Sequence, residues 1–181
     1  MLPLCIDAGA ESIELHAGVP DDESTMEEWK VVSDSVPNGM ISMCLDRKHL
    51  SNEMLIERIK LAQKIADDRL IIQADGIPMS GGTDDFNTTL QAVSIADFIN
   101  KEIKLKEKNF SKLPVLISGG TNSFTGELAR NCGVPFNGIT IGTHARKVIK
   151  EFESKPNEMS DQNLHLALKN AKNLIIKNLK A

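Results

Sequence analysis

The chain has 181 residues, 41% hydrophobic and 25% charged, with a formal net charge of −4. That is enough apolar material for one substantial core and one domain, 1–181, and lysines dispersed along helical patterns leave no electrostatic footprint for nucleic acid or an acidic membrane. No apolar run approaches the roughly 20 residues that span a bilayer, and MLPLCIDAGAE lacks a charged leader, so no membrane insertion is expected and the expected location is cytoplasmic.

The opening LPLCIDAGAES reads as the tail of a helix feeding a strand, as if an earlier portion had been cut away. The first strand is SIELHA (12–17), whose alternation predicts one wetter face. Ser24 and Glu27 have the form of a capping box ahead of MEEWKVVSDSV, where Trp29 and Val32 share a face. A second strand, MISMCL, starts at Met40. Ser51 then caps NEMLIERIKLAQKIADD, with Leu55, Ile59, Ala62 and Ala66 on one stripe.

The third strand is LIIQA from Leu70, followed by a helix with a stripe of Leu90, Val93, Ala96, Ile99 and Ile103. PVLISG from Pro114 is the fourth strand, SFTGELARNCG a short helix that Gly133 can end, and GITIG from Gly138 the fifth strand. ARKVIKEF is a further helix. After Pro156 a last helix begins near Ser160, with Leu164, Leu168, Ala171, Ile175 and Leu179 on one side.

Strand and helix alternating at spacings of about 25 to 45 residues predict right-handed βαβ units in a parallel α/β sheet of about five units. A full eight-unit barrel takes about 250 residues, so the expectation is a segment resembling the C-terminal part of a (β/α)8 barrel, or an open doubly wound sheet. The runs VLI and LII predict strands covered on both faces. Cys5, Cys44 and Cys132 are far apart with no CxxC. They read as free thiols in or near the core.

In a parallel sheet every carboxyl end points the same way, and that rim is where ligands bind. Here the five ends carry His16, Ala17 and Gly18; Asp46 and Arg47; Gln73, Asp75, Gly76, Met79, Ser80, Gly81 and Gly82; Gly119, Gly120, Thr121 and Asn122; and Gly142, Thr143, His144 and Arg146. QADGIPMSGG is thus expected to form one wall of a ligand site, its glycines admitting close backbone approach. Gly119–Asn122 and Gly142–Arg146, each entering a helix, form the expected cradle for a phosphate, with Arg146 closing it. There is no GxGxxG and no P-loop lysine pattern. His16, Asp46 and Asp75 are the acid–base candidates for catalysis. His16, Asp46 and His144 have metal-ligating side chains but no diagnostic spacing, so no metal centre is read from them.

LDRKHLS, LIIQADGIPMSGG, LISGGTNSFT and GITIGTHAR together resemble the C-terminal domain of the light-dependent period protein family, LdpA, of cyanobacteria and plastid-bearing organisms. The resemblance runs from the IELHAG strand to the final helix. It implies a clock-input protein that relays light-set redox state to the circadian clock, with clock or redox components as protein partners. It also implies an iron–sulfur family, but the four-thiolate ferredoxin pattern is absent from this chain and no cluster ligand is assigned. The function expected is therefore a cofactor-free regulatory module with a ligand or partner site at the rim. The alternative is an enzyme, or former enzyme, of the flavin- or phosphate-binding barrel type. An uncovered sheet edge adds the expectation of self-association.

Overall fold

The computed structural model describes residues 2–76, 84–150 and 160–179. Within them helix and strand alternate as α1 (Leu2–Asp7), β1 (Ile13–His16), α2 (Asp22–Ser35), β2 (Ile41–Leu45), α3 (Asn52–Ala66), β3 (Leu70–Asp75), α4 (Asp85–Ile99), β4 (Val115–Ser118), α5 (Thr125–Asn131), β5 (Gly138–Ile139), α6 (Thr143–Lys150) and α7 (Asp161–Leu179). The strands are all parallel and stand in the order β1-β2-β3-β4-β5. Every crossover steps the same way, so α2 to α5 pack on a single face of the sheet. A doubly wound sheet needs the strand order to reverse at a switch point. Among the described strands no reversal occurs, and of the two expected architectures it is the winding of a barrel segment that they follow.

Side-chain alternation gives the two faces different chemistry. On the helix side, Ile41, Met43 and Leu45 of β2, Leu70, Ile72 and Ala74 of β3, and Val115 and Ile117 of β4 join Trp29, Leu55, Ile59, Ala92 and Ala96 in the core. Removing a fully buried side chain there, as in Ile59→Ala, costs roughly 2–5 kcal/mol. The other face carries Glu14 and His16 of β1, Ser42 and Cys44 of β2, Gln73 and Asp75 of β3, and Ser118 of β4, neighbours by register. Ile71 and Leu116 are only half-buried on that side. Of the covering of both faces expected of LII and VLI, the helix side is complete and the other side partial, while the alternation expected of SIELHA is seen in β1.

Local capping accounts for most helix starts. Ser51 accepts from the Met54 N–H at 3.2 Å and begins α3, whose buried stripe is Leu55, Ile59, Ala62 and Ala66 as the spacing predicts. The Ser24 capping box is corrected. Asp21, in extended conformation, accepts from the Ser24 N–H at 3.1 Å and starts α2 at Asp22, placing Asp22 and Glu23 where the helix dipole favours them. In α4, Val93, Ala96 and Ile99 are buried, but Leu90 is exposed and Thr88 and Thr89 are buried in its place. Thr89 shares a 2.5 Å hydrogen bond with Thr125 of α5.

The stripe expected on α7 is also displaced. Leu164, Leu168, Ile175 and Leu179 are exposed, while Leu174 and Asn178 are buried. Asn178 is the reason: its Oδ1 accepts from the Gly126 N–H at 2.8 Å and its Nδ2 donates to the Asn122 carbonyl at 3.2 Å. A buried polar anchor sets the helix rotation, and Ile175 and Leu179 border an apolar groove against Ile141 and Val148 instead. Of the three thiols only Cys44 is buried; Cys5 and Cys132 are exposed, which corrects their expected place in or near the core. None of the described helices is long and apolar enough to cross a membrane.

Candidate functional site

Parallel pairing brings three strand ends together. His16 closes β1, Asp46 follows β2 and Asp75 closes β3; the imidazole Nε2 lies 3.7 Å from Asp46 Oδ2 and its Nδ1 3.8 Å from Asp75 Oδ2. The imidazole is more than half exposed and the two carboxylates are largely covered. Asp46 is oriented by the Lys48 N–H, which donates to Oδ1 at 2.8 Å. Gly18 leaves the room it needs, since a Cβ there would overlap the Asp46 carboxylate.

Burial raises the pKa of Asp75; a hydrogen bond from the Cys44 thiol and the nearby His16 act in the opposite direction, and Asp46 and Glu14 raise it further. The Cys44 thiol is pushed far above its ordinary value, first by burial and then by the Asp75 and Glu14 charges. Below this pair, buried Gln73 donates from Nε2 to Glu14 and, at 3.0 Å, to Ser42 Oγ. Its Oε1 is buried with no hydrogen-bond partner. Glu14, Ser42, Cys44 and Ser118 were not among the expected site residues. The alternation of SIELHA, which puts Glu14 on the face of His16, was the available signal for the first.

The glycine loops pack on one another. Gly119 (φ +63°) and Gly120 (φ +69°) take left-handed conformations. A Cβ on Gly119 would collide with the Asp75 carboxylate, and one on Gly76 would meet the Gly119 carbonyl and Ala92. Thr121 is buried and donates to the Thr140 carbonyl at 2.6 Å. Asn122 is wholly buried, its Oδ1 accepting from the Phe124 N–H at 2.9 Å. With the Gly126 N–H bound to Asn178, N–H groups at the seven-residue α5's start are already partnered inside the protein.

At the start of α6, exposed Arg146 donates to Thr143 Oγ1 at 3.2 Å, and Gly142 faces it with ordinary spacing. Glu14, His16, Asp75, Gly119 to Thr121, and Gly142, Thr143 and Arg146 line one hollow of about 220 Å³. A second hollow of about 570 Å³ shares His16 and Asp75 and adds Asp46, Arg47, Lys48 and Gly76. Arg47 stands over the Phe98 ring, 4.5 Å from its centroid. His144 lies apart from the His16 group: burial lowers its pKa, Asp85 opposes this, and Lys147 and Lys177 reinforce it. Met79, Ser80, Gly81 and Gly82 lie outside the described residues.

These features define a singly wound parallel α/β domain whose polar residues collect at the carboxyl rim of its strands. The chain matches the family model described as the Light dependent period A C-terminal domain over residues 4–181, and it belongs to that family. No curated protein matches the chain.

Proposed function

We propose that the domain is a cytoplasmic regulatory module of a clock-input protein, acting by binding a small ligand or a clock or redox protein at the carboxyl rim. The observation that carries this reading is the rim itself. In a chain of the light-dependent period family, residues at four strand ends line one hollow: His16, Asp75, Gly119 to Thr121, and Gly142, Thr143 and Arg146. A buried, protonated thiol is a poor redox sensor, so Cys44 does not carry the redox input. The reading makes the module a receiver of a signal generated elsewhere.

A second reading, a phosphate or flavin ligand, draws on Arg146 and Thr143 at the start of α6. The carboxylates of Glu14 and Asp75 in the same hollow oppose an anion. Arg146→Glu separates the readings. Arg146 is exposed and the hydrogen bond of its guanidinium to Thr143 is local, so the variant keeps its melting temperature within a degree or two. In cells carrying only this variant, circadian period measured against light intensity is expected to lose its dependence. An unchanged dependence overturns the rim as the regulatory surface. Saturable binding of flavin mononucleotide by wild type, lost in Arg146→Glu, moves the conclusion to the second reading.

A further inference from the structure

Two sets of metal-ligating atoms, Glu14–His16–Cys44 and His16–Asp46–Asp75, share one imidazole, and within each set the atoms lie within 4.8 Å of one another. We infer that His16, Asp46 and Asp75 form a binding site for one divalent first-row transition-metal ion, of the zinc, manganese or iron(II) class. This goes beyond the regulatory reading and does not depend on it.

The spacing is the first argument. Separations of 3.7 and 3.8 Å between the imidazole nitrogens and carboxylate oxygens exceed a hydrogen bond, which brings nitrogen and oxygen to 2.7–3.2 Å. Donors sharing one ion at about 2.0–2.2 Å each stand a little over 3 Å apart, and the three donor atoms, one from each residue, draw together on the ion from separations of no more than 4.8 Å. One imidazole nitrogen takes the ion.

Charge is the second. Glu14, Asp46 and Asp75 bring three carboxylates to one imidazole, and among the described residues His16 is the only ion-pair partner of Asp46 and Asp75. Arg47 is stacked on Phe98. Gln73 is bonded through its nitrogen to Glu14, which shares the other ligand set with His16, and its buried carbonyl oxygen is left unpartnered. Buried polar oxygens are rarely left so, and this one belongs to a side chain bonded to a neighbour of His16.

The donor set selects the ion. Calcium takes six to eight oxygens, and one imidazole with two carboxylates is a mixed nitrogen–oxygen set suited to zinc, manganese or iron(II). Cys44 belongs to the other set, with Glu14 and His16, and is not assigned as a ligand of this ion.

The test is titration of the chelator-stripped full chain with cobalt(II), followed by visible absorption, and displacement by zinc. One equivalent should bind with d–d bands and no sulfur charge-transfer band. His16→Gln and Asp46→Asn should each weaken binding at least about tenfold, and Cys44→Ala should retain it. Should a variant fail to fold, wild type alone decides: substoichiometric manganese(II) should broaden the His16 ring resonances ahead of those of His49, His144 and His165. Absence of saturable binding, undiminished binding in both variants, or equal broadening of all four histidines overturns the site. None of these readouts involves the clock or Arg146, so failure here and failure of the regulatory reading are separate results.

Discussion

The Cys44 thiol of β2 is hydrogen-bonded to the Asp75 carboxylate of β3: burial and then the Asp75 charge push the thiol's pKa up, while burial raises that of Asp75 against the lowering effect of the thiol's hydrogen bond. Reactivity of a cysteine follows its thiolate fraction and its access. Cys44 has neither, whereas Cys5 and Cys132 are exposed. A colorimetric thiol assay near pH 8 is expected to count two reactive cysteines in the native protein and three in denaturant. Three fast thiols without denaturant would refute the burial of Cys44.

The burial of Asp75 sets a pH dependence. Because the folded pKa of Asp75 lies above its ordinary value of 3.8, the folded state binds the extra proton in the window between the two. Stability therefore falls as pH rises through that window. In chelator-treated protein, Asp75→Asn should flatten the melting temperature against pH over the acid range and raise it at pH 7. A steeper curve, or a loss at neutral pH, would contradict this sign.

Arg58 of α3 ties down the loop that leaves His16. The guanidinium is fully buried and donates at 2.5 Å to the carbonyls of both Ala17 and Val19, and it pairs with Asp22. Arg58→Ala leaves the covered carbonyls without donors and is expected to cost about 3 kcal/mol in chemical denaturation. Asp22→Asn should cost far less, because Asp22 is 40% exposed and solvent replaces the lost charge interaction.

Two rim glycines should respond differently to alanine. Gly119 combines a left-handed φ with a Cβ position already held by Asp75, so Gly119→Ala is expected to lose about 2 kcal/mol or more. At Gly142 the nearest atom to a new Cβ is 3.8 Å away on flexible Arg146, and Gly142→Ala should change stability by no more than about 0.5 kcal/mol. Equal losses at both positions would show that the loops, not the carboxylate contact, set the cost.

What the sequence by itself determined is what short-range rules govern. Strand and helix alternation implied a parallel sheet, and parallel strands put His16, Asp46, Asp75, Gly119 and Gly142 on one rim whatever the rest of the packing. The alternation of SIELHA was legible because side chains on a strand switch faces at every residue. Only the tertiary structure decided the one-way winding, since strand order is a choice of partner that local periodicity does not encode. It also decided which polar groups look outward: Thr121 and Asn122 turned inward because Thr140, Phe124 and Asn178, up to 56 residues distant, supply their partners. The rotation of α7 followed from the same Asn178 anchor, against its own leucine stripe. The meeting of His16 with Asp46 and Asp75 rather than His144 was settled last of all, by register between neighbouring strands, because distances of a few ångströms across a sheet depend on pairing that no spacing in the sequence specifies.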